Sequence, residues 1–334
     1  MTPPLLRRSA TIAGLAVAGA LVLAGCSSPL PEPSPGAAST VATAVLTADQ
    51  LDAVSERIGS ALATADGALD ASQLTGVLSG PALTIRTAQY RIAKATSPES
   101  ALTVLPSALQ SQFVPTTQAW PRTAMAVTTQ PENLEAQRLV VLEQPAAREN
   151  YTLWGWVRLF PGTALPTFVS ADVGTEQVTD STGLSAQVPD VLAAYVDYLN
   201  LGKSSKHAGE FEKDELVTSV LERRSAMTKA LKAIDGKYSY TFSVPGGPVQ
   251  ALRTLDGGAL VVARLTAREN AKGPKGSKVS PDDEVKGLVG DAKTSNALVV
   301  GHTVLVAFQI PPEGSSDTVT VLGAEDAKTS AKIP

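Results

Sequence analysis

The sequence predicts an α+β fold built as two tandem units, each with helices first and an antiparallel sheet afterwards. Three observations lead to this prediction. The length of 334 residues exceeds the roughly 100–200 residues of one typical domain. Apolar residues at helical spacing precede runs with strand-like alternation, and this order occurs twice. Lys94 is the only lysine before residue 180, whereas lysines are common after it, so the two units differ in surface chemistry.

The N-terminus has the composition of a secretory signal. Residues 1–8 contain two arginines and no acid, and residues 11–23 are apolar or small, a stretch shorter than the ~20 residues of a membrane span. The motif Leu23-Ala24-Gly25-Cys26 resembles the bacterial lipobox, in which a lipid is attached to the cysteine. We therefore predict cleavage between Gly25 and Cys26, lipid attachment at Cys26, and an extracytoplasmic location at the cell membrane.

A proline-rich tether follows this cysteine. Prolines at positions 29, 31, 33 and 35 favour an extended polyproline-type chain. At ~3.1 Å per residue, about 16 residues could hold a folded domain roughly 50 Å from the membrane.

The first unit opens with a helix start. Thr47 and Gln50 have the spacing of a capping box, and apolar residues then recur at 51, 54, 58 and 62. A second helix start lies near residue 70, and we expect Gly80-Pro81 to end that helix. Residues 82–94 fit a helix or a strand, and strands are predicted at residues 123–129, 138–143 and 151–160.

The second unit repeats this order. A helical stripe at residues 191–199 is ended by Gly202, and Asp214 is placed to cap a longer helix. Asp256-Gly257-Gly258 predicts a hairpin turn. Strands are predicted at residues 238–244, 249–255, 259–268, 298–310 and 318–324.

These patterns divide the chain into six segments. They are residues 1–25 (lipoprotein signal peptide), 26–44 (lipidated cysteine and tether), 45–172 (first unit), 173–188 (linker), 189–326 (second unit) and 327–334 (tail).

Composition excludes several classes of protein. A net charge of −4 and a pI near 5.4 argue against nucleic-acid binding, which needs a basic face. One cysteine and two histidines leave little material for a zinc site. The sequence has no HExxH, GxSxG, Walker-type or GxGxxG motif. We therefore predict no metal, no cofactor and no nucleic-acid partner, and we interpret the acidic residues 281–284 as a helix start.

Three stretches carry a resemblance to a known family. They are residues 79–90 (SGPALTIRTAQY), 113–122 (FVPTTQAWPR) and 153–162 (LWGWVRLFPG). In these stretches the chain resembles uncharacterised actinobacterial lipoproteins that carry a domain of unknown function. Helices followed by a strongly curved sheet also resemble the NTF2-like, cystatin-related fold. The resemblance implies two tandem NTF2-like units and supplies no catalytic residue.

His302 is the candidate pocket residue. On its predicted strand it shares a face with Leu298, Val300, Val304, Val306 and Phe308. We favour a buried, hydrogen-bonded core histidine over an acid–base or ligand-binding group. Because enzymes with NTF2-like folds place an acid or a histidine inside the cone, His302 remains the one enzymatic candidate.

The strand at residues 151–160 is apolar on both faces, so both faces should be covered. The odd-numbered positions of this strand form one apolar face. The opposite face carries Trp154, Trp156, Arg158 and Phe160. We favour packing between the helix layer and the second unit. The alternative is a binding groove in which the two indoles stack on a ligand and Arg158 meets an anion.

Three function classes remain open at this point. The first is a noncatalytic binding or scaffold lipoprotein of the cell envelope, held at the membrane through Cys26 and contacting a protein partner. The second is a carrier of a small apolar or lipid-like ligand inside one cone. The third is an NTF2-like enzyme that uses His302.

Overall fold

A computed structural model describes residues 42–97, 101–290 and 295–334 of the protein. The predicted signal peptide, Cys26 and most of the tether lie outside these residues. Residues 42–334 form one compact unit, and none of its described helices is long and apolar enough to cross a membrane.

The sheet confirms the α+β prediction. Its nine strands pair in the order β1-β2-β3-β4-β9-β8-β7-β5, with β6 also on β7, and every pairing is antiparallel. The strands are β1 (Leu109–Phe113), β2 (Arg122–Thr128), β3 (Arg138–Gln144), β4 (Thr152–Leu159), β5 (Lys237–Ser243), β6 (Gln250–Arg253), β7 (Ala259–Lys272), β8 (Ala297–Ile310) and β9 (Thr320–Lys332).

Five α-helices accompany the sheet in the described residues. They are α1 (Ala48–Ala68), α2 (Gly80–Ala95), α3 (Val188–Leu201), α4 (Glu215–Lys232) and α5 (Asp283–Val289). The capping box of Thr47 and Gln50 is present at the start of α1, and Asp214 caps α4 through Val217 N–H. These helix starts follow the sequence prediction because capping depends on residues that are close along the chain.

The segment around residue 80 differs from the prediction. Residues 71–74 form only a short 3₁₀ turn, and Gly80-Pro81 begins α2 instead of ending a helix. The reason is that Pro81 stands in the first turn, where its missing N–H costs no hydrogen bond. Gly80 has a φ of +48°, and a Cβ there would lie 2.8 Å from the Trp154 indole nitrogen, so glycine is needed at this close approach.

Two hydrophobic cores lie on opposite faces of the long strands. In β7, Val262 belongs to a core shared with α1 and α2, whereas Val261 belongs to a core shared with α3 and α4. Alternate residues of a strand point to opposite faces, so one strand serves both cores. The four long helices therefore pack in two separate layers, α1 and α2 on one core and α3 and α4 on the other, whereas the short α5 packs on α2, where Leu288 contacts Ala88 and Ile92.

The sheet also folds over onto itself. A Cβ on Gly155 of β4 would lie 2.8 Å from the Leu305 side chain of β8, although these strands are not neighbours in the sheet. Gln250 of β6 accepts a hydrogen bond from the Thr123 hydroxyl of β2 and donates one of 2.7 Å to Glu143 of β3. This curvature buries the inner face of β2–β4 against β6–β8.

The two halves of the chain share this one sheet through β4 and β9. The segment predicted as a linker, residues 173–188, pairs through isolated bridges with residues of both halves, at Pro115, Leu252 and Pro312. The segment predicted as a tail starts at residue 327, yet β9 continues to Lys332 because its backbone pairs with β8 along that length. Both segments are thus tied to the sheet.

Candidate functional site

A trench runs along the edge of β9 where its pairing with β4 ends. β4 reaches β9 only where Arg158 and Leu159 pair with Ala324 and Gly323. Beyond this pairing, two adjoining cavities of about 270 and 470 Å³ lie beside Glu325 and Asp326 of β9, between α4 and the segment at 101–103. Both cavities are lined by Ala101, Ser219, Glu325 and Asp326. We call this feature the β9 trench.

His302 lies in the wall of the smaller cavity, between two carboxylates. Its Nδ1 is 2.7 Å from Asp326 Oδ1, and its Nε2 is 3.1 Å from Glu269 Oε1. The side chain is 5% exposed. Because a protonated imidazole carries one N–H on each nitrogen, this placement suits the charged form of the ring.

The two carboxylates set the ionisation of His302. Burial alone would lower the pKa of His302, but Asp326 and Glu269 together raise it to about 9. Burial alone would raise the pKa of Glu269, but His302, Arg223 and Tyr238 lower it to about 2. The histidine is therefore an imidazolium near neutral pH, held between carboxylates.

Further contacts fix both carboxylates in place. Arg223 of α4 donates from Nε and Nη2 to the two oxygens of Glu269, at 2.7 and 3.0 Å. Tyr238 donates to Glu269 and Tyr240 to Asp326, each at 2.7 Å. Burial and the adjacent carboxylate raise the pKa of each tyrosine, so both hydroxyls remain donors. This network joins α4 to β5, β7, β8 and β9.

Glu325 is the neighbour of Asp326 in β9 and points to the opposite face. It accepts a hydrogen bond of 3.4 Å from the Thr103 hydroxyl. Burial raises the pKa of Glu325, although Arg138, the Trp156 indole, Arg158 and Thr103 oppose that effect. Among the described residues, Glu325 takes part in none of the ion pairs within 4 Å.

Two arginines face the larger cavity. Arg138 of β3 and Arg158 of β4 are direct cross-strand partners, an arrangement of like charges that is unfavourable unless compensated. Arg138 pairs with Glu135 at 2.5 Å and Arg158 with Glu215 at 2.7 Å. Arg138 is 4% exposed, and its buried Nε has no hydrogen-bond partner.

The residues predicted on the doubly apolar strand separate into two environments. Trp154 and Trp156 are 3% and 0% exposed and belong to the core shared with α1 and α2, which we call the first core. The Arg86 guanidinium lies over the Trp156 ring, 5.6 Å from its centroid. Arg158 and Phe160, in contrast, line the larger cavity of the trench.

The structure therefore brings together candidates that the sequence kept apart. Arg158 and Phe160 belong to one predicted site and His302 to another, yet all three line the β9 trench. The anion that Arg158 meets is Glu215 of the chain itself. The two tryptophans do not line the trench.

The acidic segment at residues 281–284 forms a helix start, as predicted. Asp282 caps α5 by accepting a hydrogen bond of 2.8 Å from Val285 N–H. Asp282 and Glu284 also pair with Lys328 of β9 at 3.1 and 2.7 Å, which closes one end of the trench. No three His, Cys, Asp or Glu side chains are placed to hold a metal ion in residues 42–97, 101–290 and 295–334.

The sequence analysis missed Glu269, the partner of His302, and Glu325 and Asp326 in the trench. Glu269 interrupts the apolar alternation of β7, and this break was the available signal for a charged group inside the fold. Glu325 and Asp326 fell at the predicted end of the second unit, where charged residues are common. Their relation to His302 depends on the β8–β9 register, which the sequence does not show.

The fold and the trench define an α+β protein with one curved antiparallel sheet and a charged cavity beside an incompletely paired strand. Residues 42–333 match the family described as "Domain of unknown function (DUF8094)". The chain belongs to this family, which confirms the prediction of an uncharacterised family. No curated protein and no solved structure matched the chain.

Proposed function

We propose that the protein is a lipid-anchored, extracytoplasmic binding or scaffold protein of the cell envelope that receives its ligand or partner in the β9 trench. The observation that carries this proposal is the trench itself. It combines cavities of about 270 and 470 Å³ with charged side chains from both halves of the chain. The location rests on the lipobox-like motif that ends at Cys26.

The state of His302 supports binding over acid–base catalysis. A general base needs an unprotonated nitrogen within reach of the substrate. Both ring nitrogens of His302 face carboxylates, and the pKa of about 9 keeps the ring protonated at neutral pH. Its charge instead ties β8 to β7 and β9 beneath the trench.

The packing of the inner face gives little support to a carrier of apolar ligands. Val141, Val157, Val262 and Leu305 on this face are all 0% exposed. An apolar cavity between α1 and β3–β4 measures about 20 Å³, which is far below the volume of a lipid-like ligand.

We further propose that each half is an NTF2-like unit and that the family comprises actinobacterial lipoproteins. Each half has two long helices followed by antiparallel strands, and the sheet is curved. In this proposal the two units are fused through the pairing of β4 with β9.

Position-specific photocrosslinking in intact cells tests the binding function. A photoreactive residue replaces Ser219, which lines both cavities, in the full-length lipidated protein. The matched control replaces Ser60, which is exposed on α1. We expect a discrete adduct from position 219 and none of the same mass from position 60. No adduct at 219, or the same adducts at both positions, would overturn the proposal.

A further inference from the structure

The larger cavity of the trench has an excess of acidic groups. It is lined by Glu135, Glu215, Glu325 and Asp326, against Arg138 and Arg158. Glu135 and Glu215 are each paired with one arginine, and Asp326 is compensated by His302. Glu325 is the one of these four carboxylates that takes part in no ion pair within 4 Å in the described part of the chain, although Arg138 and Arg158 favour its charged form.

A carboxylate that has no ion pair in a confined cavity is costly. Burial disfavours the charged form of Glu325, and its hydrogen bond from Thr103 is long, at 3.4 Å. A ligand ammonium group that fills this position would supply the missing charge and donate hydrogen bonds of the strong, charge-assisted kind. The cavity of about 470 Å³ has room for a small organic molecule around that group.

The Arg138 side chain also has a polar group without a hydrogen-bond partner. Arg138 lines the same cavity, is 4% exposed, and has a buried Nε without a hydrogen-bond partner. A buried donor of this kind needs an acceptor. A neutral oxygen suits it better than a carboxylate, because Glu135 already compensates the charge of Arg138 and Glu215 that of Arg158.

We propose that the trench binds an organic ammonium group whose nitrogen pairs with Glu325 and whose neighbouring neutral oxygen accepts from Arg138. This inference rests on the proposed binding function and adds the chemistry of the ligand. Two sources carry that chemistry, namely a small amino alcohol or amino sugar and a lysine side chain beside a backbone carbonyl in a partner protein.

Thermal denaturation and calorimetry of the full-length protein in detergent test the proposal. Ethanolamine and glucosamine are the ammonium probes, acetate is the anionic probe, and ionic strength is held constant. We expect the amines to raise Tm and acetate to have no effect. Glu325→Gln should reduce amine affinity about tenfold or more, whereas the same change at exposed Glu313 should not.

A measurement on the wild type guards against misfolding of the variant. Amine affinity should fall as pH is lowered and Glu325 becomes protonated, while acetate still shows no binding. A stabilisation by acetate equal to that by amines, or an undiminished amine affinity in a folded Glu325→Gln protein, would overturn the proposed ligand class.

The crosslinking result separates this inference from the proposed function. Amine binding together with a small-molecule adduct at position 219 assigns the ammonium to a free ligand. A protein adduct that is lost in Glu325→Gln assigns it to a lysine of a partner. An adduct at 219 that is unaffected by amines and by Glu325→Gln leaves the binding function standing and refutes the ligand class.

Discussion

His302 shows how one charged residue is accommodated inside an otherwise apolar strand. The side chain is 5% exposed, and isolated burial of a charge would be strongly unfavourable. Asp326 and Glu269 compensate it from the neighbouring strands, and Arg223 compensates Glu269 from α4. Each charged side chain in this group is compensated by a neighbouring one, so removing one of them should leave another buried charge without its partner.

The raised pKa of His302 predicts how stability depends on pH. The pKa is about 9 in the folded protein against 6.5 for the ordinary group, so the stabilising contribution is complete below about pH 6.5. It is lost as pH rises through 9. His302→Gln should therefore lower the free energy of unfolding on the order of 3 kcal/mol at pH 6, with the difference shrinking towards pH 9.5. Urea titrations followed by tryptophan fluorescence measure this difference.

His207→Gln is the matched control for this measurement. His207 lies at the surface, where its Nδ1 is 2.7 Å from the half-exposed Glu210. A surface pair of this kind contributes little, so the control should keep the pH profile of the wild type. If the free energy of unfolding of His302→Gln falls between pH 6 and 9.5 by as much as that of the wild type, the two carboxylates do not stabilise the ring.

The individual residues also show the limit of sequence reasoning at this scale. Burial of His302 follows from its apolar neighbours at i±2, which are visible in the sequence. Its partners Asp326 and Glu269 stand 24 and 33 positions away along the chain, and only the strand register places them beside the ring. The environment of Glu325 depends in the same way on where the pairing of β4 with β9 ends.

At the scale of elements, β4 explains why a strand can be apolar on both faces. Leu153 faces Ile58 and Leu62 of α1 around the small apolar cavity. The β3–β4 register shifts between Leu153 and Gly155, which places Gly155 on the other face, where it approaches Leu305 of β8. One face is thus covered by helices and the other by the folded-over sheet. The sequence predicted coverage of both faces, and the structure supplies the partners.

The burial of Trp156 predicts a large effect of truncation. Trp156 is fully buried beneath the Arg86 guanidinium, so Trp156→Ala removes a large aromatic group from the first core and leaves a cavity. We expect a loss of about 3–5 kcal/mol in the free energy of unfolding. Trp120→Ala is the control, because Trp120 is 41% exposed, and it should cost much less. Equal stabilities of the two variants would contradict the packing described for β4.

Helix starts and strands were predicted better than the segments between them. Capping boxes and hairpin turns depend on residues a few positions apart, which accounts for the predicted α1 start and the turn at Gly257, where φ is +90°. Gly80-Pro81 was misassigned because the pair is compatible with either end of a helix. At this helix start Gly80 lies against the Trp154 indole, a tertiary contact that the local sequence does not contain.

At the scale of the whole molecule, the division into two halves survives in the four long helices and is absent from the sheet. α1 and α2 pack on one core and α3 and α4 on the other, as the repeated order in the sequence suggested, whereas the short α5 of the second half packs on α2. The strands of both halves nevertheless join where Arg158 and Leu159 meet Ala324 and Gly323. This pairing spans about half of the chain, so no local pattern predicts it, and the trench exists because the pairing stops after two residues.

The remaining whole-molecule prediction concerns how the domain is held at the membrane. Cys26→Ala removes the thiol that the lipobox-like motif presents for diacylglycerol attachment, and the two acyl chains are the anchor that the sequence predicts. We expect the variant to lose metabolic labelling by alkyne-palmitate and to move from the membrane fraction to the soluble fraction. Ser28→Ala, two residues beyond the motif, should keep both the label and the membrane location. Because each buried methylene contributes about 0.8 kcal/mol, two chains hold a protein far more firmly than one. A wild-type protein without any attached lipid would refute the anchor, whatever its distribution between the fractions.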